Sequence, residues 1–173
     1  MKGRQIVLGE LFGAEAAALV QDGVLVDLLV DANALAPLVP GDICRGMVER
    51  LMKGQGGVFL RLPDGQRGYL RDRSGLREGQ ALLVQVTGVA EDAKAIPLTS
   101  RLLLRGRHVL VTPGAPGINV SRRIRDDEAR ARLTALGEAA APPQDTGIII
   151  RSIAESAPDE DIAQELRSLL DLS

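Results

Sequence analysis

The chain has 173 residues, room for one large domain or two small ones. An apolar fraction of 45% is enough to bury a core, and with aromatics at 2% that core has to be built from Leu, Val, Ile and Ala. A formal net charge of -2 excludes a uniformly basic nucleic-acid binder and confines any such role to a local patch. Cys44 is the sole cysteine, which excludes an internal disulfide and a cysteine-pair zinc site, and the sole histidine, His108, gives poor support to a Ser/His or Cys/His nucleophile. The opening Met-Lys-Gly-Arg-Gln lacks a signal peptide's apolar run, and no stretch reaches membrane-span length, so a cytoplasmic setting is expected.

In chain order, residues 4–10 read as a strand and residues 16–31 as a hairpin turning at Asp22-Gly23. The alanine-rich arm before that turn fits a helix equally well. Ala32 to Pro40 reads as a linker, with two prolines and no periodicity. This first piece is too short to bury a core by itself and is expected to pack on something else.

Gly41 to Ser100 reads as five short strands: Asp42–Met52, Val58–Leu62, Arg67–Arg71, Ala81–Val89 and Lys94–Thr99. The bends between them are Gly54 to Gly57, Pro63-Asp64-Gly65, Asp72 to Gly79 and Ala90 to Ala93. Such spacing suggests a small closed barrel of the oligonucleotide-binding type, although a small sandwich gives a similar pattern.

From Leu102 onward strand and helix alternate, so the fold class is α+β. A strand over 107–112 runs into the turn-rich Pro113-Gly114-Ala115-Pro116-Gly117 and then the cluster Arg122, Arg123 and Arg125. A helix over Asp126–Ala140 carries Ala129, Leu133, Leu136 and Ala140 on one face, and Asp126, Asp127 and Glu128 read as helix-start acids rather than metal ligands. Gly147–Arg151 is a buried strand. A second helix over Pro158–Leu172 has the apolar stripe Ile162, Leu166, Leu169 and Leu170, with Ser156 and Asp159 spaced as a capping box. Arginines beside a Pro/Gly loop suit a phosphate, because the guanidinium is a planar fork of donors. The competing reading is a surface loop with solvated charges.

Taken in order, MKGRQIVLGE, GDICRGMVERL with GGVFLRLPDGQRGYL, TPGAPGINVSRRI and GIIIRSIAE resemble the ribonuclease E/G endoribonucleases over essentially the whole chain. The resemblance implies three parts: the opening strands of an incomplete ribonuclease-H-like subdomain (1–37), an inserted RNA-binding barrel (38–101), and a subdomain that senses an RNA 5′-monophosphate (102–173). It further implies single-stranded RNA contacts at Phe59, Tyr69 and Lys94, and a 5′-phosphate pocket at Gly106, Leu110, Arg122, Arg151 and Ser152; the competing readings are that Phe59 and Tyr69 plug the barrel and that Arg151 is a strand-end arginine paired with Glu155 or Asp126. Arg45, Arg61, Arg67 and Arg71 are candidates to extend a phosphate groove, against a reading as solvated charges.

In this family the hydrolytic aspartates and their magnesium belong to a later domain, and oligomerisation uses later regions as well. The resemblance therefore assigns no catalytic residue and no cofactor to these residues, and the chain alone is expected to bind RNA without cutting it. A stand-alone, non-catalytic RNA-binding regulator is the alternative, and a protein-interaction module without RNA is a third reading. Cys44 and Phe12 are expected in the core, and His108 on the surface or in a structural strand role.

Overall fold

The computed structural model of the protein describes residues 3–31, 38–51, 56–72, 75–90 and 94–173. Most of the expected linker, Met52, Gly54 and Gln55, and parts of the bends at 72–79 and 90–93 lie outside the described residues. The chain divides into two compact units, residues 1–42 and 43–173.

The first unit is an antiparallel sheet of β1 (Arg4–Leu11), β2 (Ala14–Gln21) and β3 (Val24–Val30). Both connections are two-residue turns, Phe12-Gly13 and Asp22-Gly23, with positive φ at each position. That conformation matches the right-handed twist of the flanking strands. The alanine-rich arm is thus a strand: it pairs with β1 on one side and β3 on the other, and this pairing overrides alanine's helical preference. Phe12 is not a core residue. It stands at the tip of the first turn with 88% of its surface exposed. Apolar residues are exposed on both sides of the sheet, since neighbouring Val7 and Leu8 point to opposite faces and both are open.

In the second unit, β4 (Ile43–Leu51), β5 (Val58–Arg61), β6 (Arg67–Leu70), β7 (Ala81–Val86) and β8 (Ile96–Thr99) close into a barrel in the order β4-β5-β6-β8-β7. Closure decides between the barrel and the sandwich. Val48, Val58, Leu60, Leu70, Val84, Val86 and Leu98 fill the interior. Cys44 is only half-buried on β4, so it is not one of these core residues. Buried Gln85 on β7 spends its amide on the backbone, accepting from Leu103 N at 2.9 Å and donating to Leu103 O at 3.0 Å. This bond pair anchors the chain where it leaves the barrel.

The rest of this unit is a four-stranded sheet in the order β11-β12-β10-β9, from β9 (Leu104–Arg105), β10 (Val109–Pro113), β11 (Gly117–Val120) and β12 (Thr146–Ile150). Helices α1 (Asp127–Ala139) and α2 (Asp159–Leu170) cover it. Val109, Ile148 and Ile150 from the sheet meet Leu133, Ile162 and Leu166 from the helices in one core. Asp126 caps α1, accepting from Ala129 N at 2.7 Å. The expected capping box at α2 does not form: the cap position is Pro158, and Ser156 lies two residues too early, in a 3-10 turn over Ser152–Ser156. No helix among the described residues is long and apolar enough to cross a membrane.

Candidate nucleic-acid interface

Strand directions bring three connections together. β11 and β12 run parallel with Val120 opposite Ile150, so both leave the sheet at the same end. β10 is antiparallel to β12 with Val109 opposite Ile150, so it enters the sheet at that end. Backbone bonds from Ser121 N to Ile150 O and from Arg151 N to His108 O, both 2.8 Å, fasten the three. Residues 106–108, 121–124 and 151–153 therefore lie side by side.

Gly106, Arg122, Arg151 and Ser152 fall on these connections, and half-buried Leu110 lies just inside on β10, opposite Ile149 and Arg105. Exposed Arg151 donates from Nη1 to Gly106 O at 2.9 Å and to Arg107 O at 3.0 Å. Its partners are thus carbonyls, not the carboxylates of Glu155 or Asp126. Arg122 is exposed on the connection that leaves β11, and strand order alone brings it here: among the described residues no hydrogen bond joins it to Arg151 or Gly106. The turn that carries it is fixed from α1, where Arg130 Nη1 donates to Ser121 O and Ile124 O at 3.0 Å each.

The second set lies on the barrel wall. Phe59 and Tyr69 are opposite each other on β5 and β6, with ring centroids 5.6 Å apart and planes tilted by 55°. Alternation along each strand sends Val58, Leu60 and Leu70 inward and these rings outward, where both are half-buried. Tyr69 packs against Gly57, where a Cβ would collide with the phenol. The Arg67 guanidinium stands 5.7 Å from the Phe59 ring centroid, a cation–π distance. Phe59, Arg67, Tyr69 and Lys94 line one cavity of ≈ 700 Å³. Arg45 and Arg61 line a different groove, and Arg61 lies 3.9 Å from Glu49.

The model of the Ribonuclease E/G family matches residues 103–173. Ribonuclease E of Nostoc sp. is 32% identical over 145 residues, covering 75% of this chain and 21% of that protein. Ribonuclease E of Synechocystis sp. is 29% identical over 182 residues, covering 96% and 26%. Ribonuclease G of Haemophilus influenzae is 30% identical over 177 residues, covering 88% and 35%. The chain belongs to the ribonuclease E/G family. It spans between 21% and 35% of the length of these relatives.

The matched stretch of this ribonuclease E/G family chain contains all three converging connections. One of its site features, Glu165, was not foreseen from the sequence. Of the two roles expected of His108 the structural one agrees with its place: it is half-buried, with Nδ1 3.0 Å from Glu165 Oε2. Glu165, on α2, also accepts from the backbone N–H groups of Arg107 and His108. The available signal was its place beside Ile162 and Leu166, because a carboxylate bordering a buried stripe needs partners. Among the described residues no three His, Cys, Asp or Glu side chains are grouped to hold a metal ion.

Proposed function

We propose that this chain is the RNA-binding and 5′-monophosphate-sensing part of a single-strand-specific endoribonuclease, and that metal-dependent cleavage is performed by residues outside it. In this reading residues 1–37 are the opening strands of a ribonuclease-H-like subdomain, 38–101 the RNA-binding barrel and 102–173 the 5′-sensor. The observation that carries it is the tethering of Arg151. With Nη1 committed to two carbonyls, the guanidinium is held in place before any ligand arrives. Its Nη2 and Nε offer two parallel donors to a terminal phosphate, with the Ser152 hydroxyl as a third.

A terminal monophosphate presents up to two charges and three oxygens to such a group, whereas a 5′-hydroxyl presents no charge and a single oxygen. A triphosphate or cap fits the same short set of donors less well, so selection works partly by exclusion. Phe59 and Tyr69 supply a stacking surface for unpaired bases, and Arg67 and Lys94 supply cations for the backbone between them.

The test is equilibrium binding of matched single-stranded oligoribonucleotides that differ only at the 5′ end. The 5′-monophosphate form is expected to bind more tightly than the 5′-hydroxyl form, and Arg151→Ala to bring the two affinities together. Equal affinities in the unaltered chain contradict the sensing role. Magnesium-dependent cleavage by the purified chain contradicts the division of labour.

A further inference from the structure

Glu165 makes contacts that the proposed function does not use. It lies in the second half of α2, with its side chain 19% exposed, facing a His108 side chain that is 12% exposed. One carboxylate oxygen accepts from Arg107 N, and the other accepts from His108 N at 2.8 Å and meets His108 Nδ1 at 3.0 Å. Two successive backbone N–H groups converging on one anion form a nest. Here the anion is the protein's own.

The same two peptide groups are those that hold Arg151. The Gly106–Arg107 peptide gives its carbonyl to Arg151 and its N–H to Glu165, and the Arg107–His108 peptide does the same. In a planar trans peptide the C=O and N–H point in opposite directions. Glu165 on one side thus dictates where the two carbonyls point on the other. A carboxylate on the N–H also polarises the peptide and strengthens its carbonyl as an acceptor. Gly106 belongs to this arrangement, because a Cβ there would collide with the Glu165 carboxylate.

We infer that Glu165 is a positioning residue for 5′-end recognition, acting through the two peptides of residues 106–108 to set the Arg151 guanidinium. The inference rests on the reading of Arg151 as the phosphate-binding group. Glu165 itself touches no RNA in this scheme.

The experiment measures the ratio of affinities for 5′-monophosphate and 5′-hydroxyl oligonucleotides in the full 173-residue chain, together with amide hydrogen exchange at Arg107 and His108. Glu165→Gln keeps the side chain's size but replaces one acceptor with a donor. It is expected to speed exchange at both amides and to lower the ratio roughly tenfold, with binding of the 5′-hydroxyl form unchanged. A merely structural role would leave that ratio intact. Faster exchange with an undiminished ratio overturns the inference. If Glu165→Gln leaves both exchange and ratio unchanged, Glu165→Ala decides, since no contact survives in it: a lowered ratio supports the inference, and a retained ratio overturns it. A ratio of one in the unaltered chain is a different failure, because it removes the sensing reading on which the inference stands.

Discussion

The proposed function gives Arg151 and Phe59 different kinds of work, which single substitutions separate. On that proposal Arg151 meets a charge that exists only on some RNA ends, whereas Phe59 offers a flat surface to any unpaired base. Phe59→Ala is therefore expected to weaken binding of 5′-monophosphate and 5′-hydroxyl oligonucleotides alike, by about 1–3 kcal/mol, as read by fluorescence anisotropy. A loss confined to the monophosphate form contradicts the stacking role. These residues stood out in the sequence for a physical reason: in a chain with so few aromatics, two on neighbouring strands are conspicuous, and Arg151 directly follows a run of isoleucines. Glu165 did not stand out. It lies in a helix whose first turn holds three acids, Asp159, Glu160 and Asp161, and its place beside the buried Ile162 and Leu166 is the one local mark that sets it apart from them.

At the scale of elements, the long periodic pieces were legible and the short non-local ones were not. The five barrel strands and both helices lie within a few residues of their expected positions, because turn residues and apolar spacing mark them. β9 and β11 were missed. β9 is two residues long, and β11 emerges from the Pro/Gly loop as four residues whose strand partner is β12, some thirty positions later, with Ile118 and Val120 packed on the helix–sheet core. That missed strand is what puts the Arg122 turn beside Arg151. The helix–sheet core that supports the three connections depends on fully buried Leu133. Leu133→Ala is expected to destabilise this part by about 2–5 kcal/mol in denaturant unfolding, through lost burial and the cavity left behind. A cost below about 1 kcal/mol contradicts the packing described.

Across the whole molecule, charge and apolar surface are distributed by part. A net charge of -2 coexists with exposed Arg122, Arg123 and Arg125 beside the three connections, which is how a chain acidic overall presents a local basic spot. The first sheet shows the opposite character, with Leu8 77% and Leu29 73% exposed, in keeping with the expectation that so short a piece cannot bury a core alone. The barrel and the four-stranded sheet are joined through Gln85 and Leu103, so the wall that carries Phe59 and Tyr69 and the sheet end that carries Arg151 belong to one unit. The most direct measurement is a crystal structure of the chain with a 5′-monophosphorylated single-stranded oligoribonucleotide. The account predicts the terminal phosphate within hydrogen-bond distance of the Arg151 guanidinium and the Ser152 hydroxyl, beside residues 106–108. A terminal phosphate seated elsewhere, with Arg151 still holding only its two carbonyls, contradicts it.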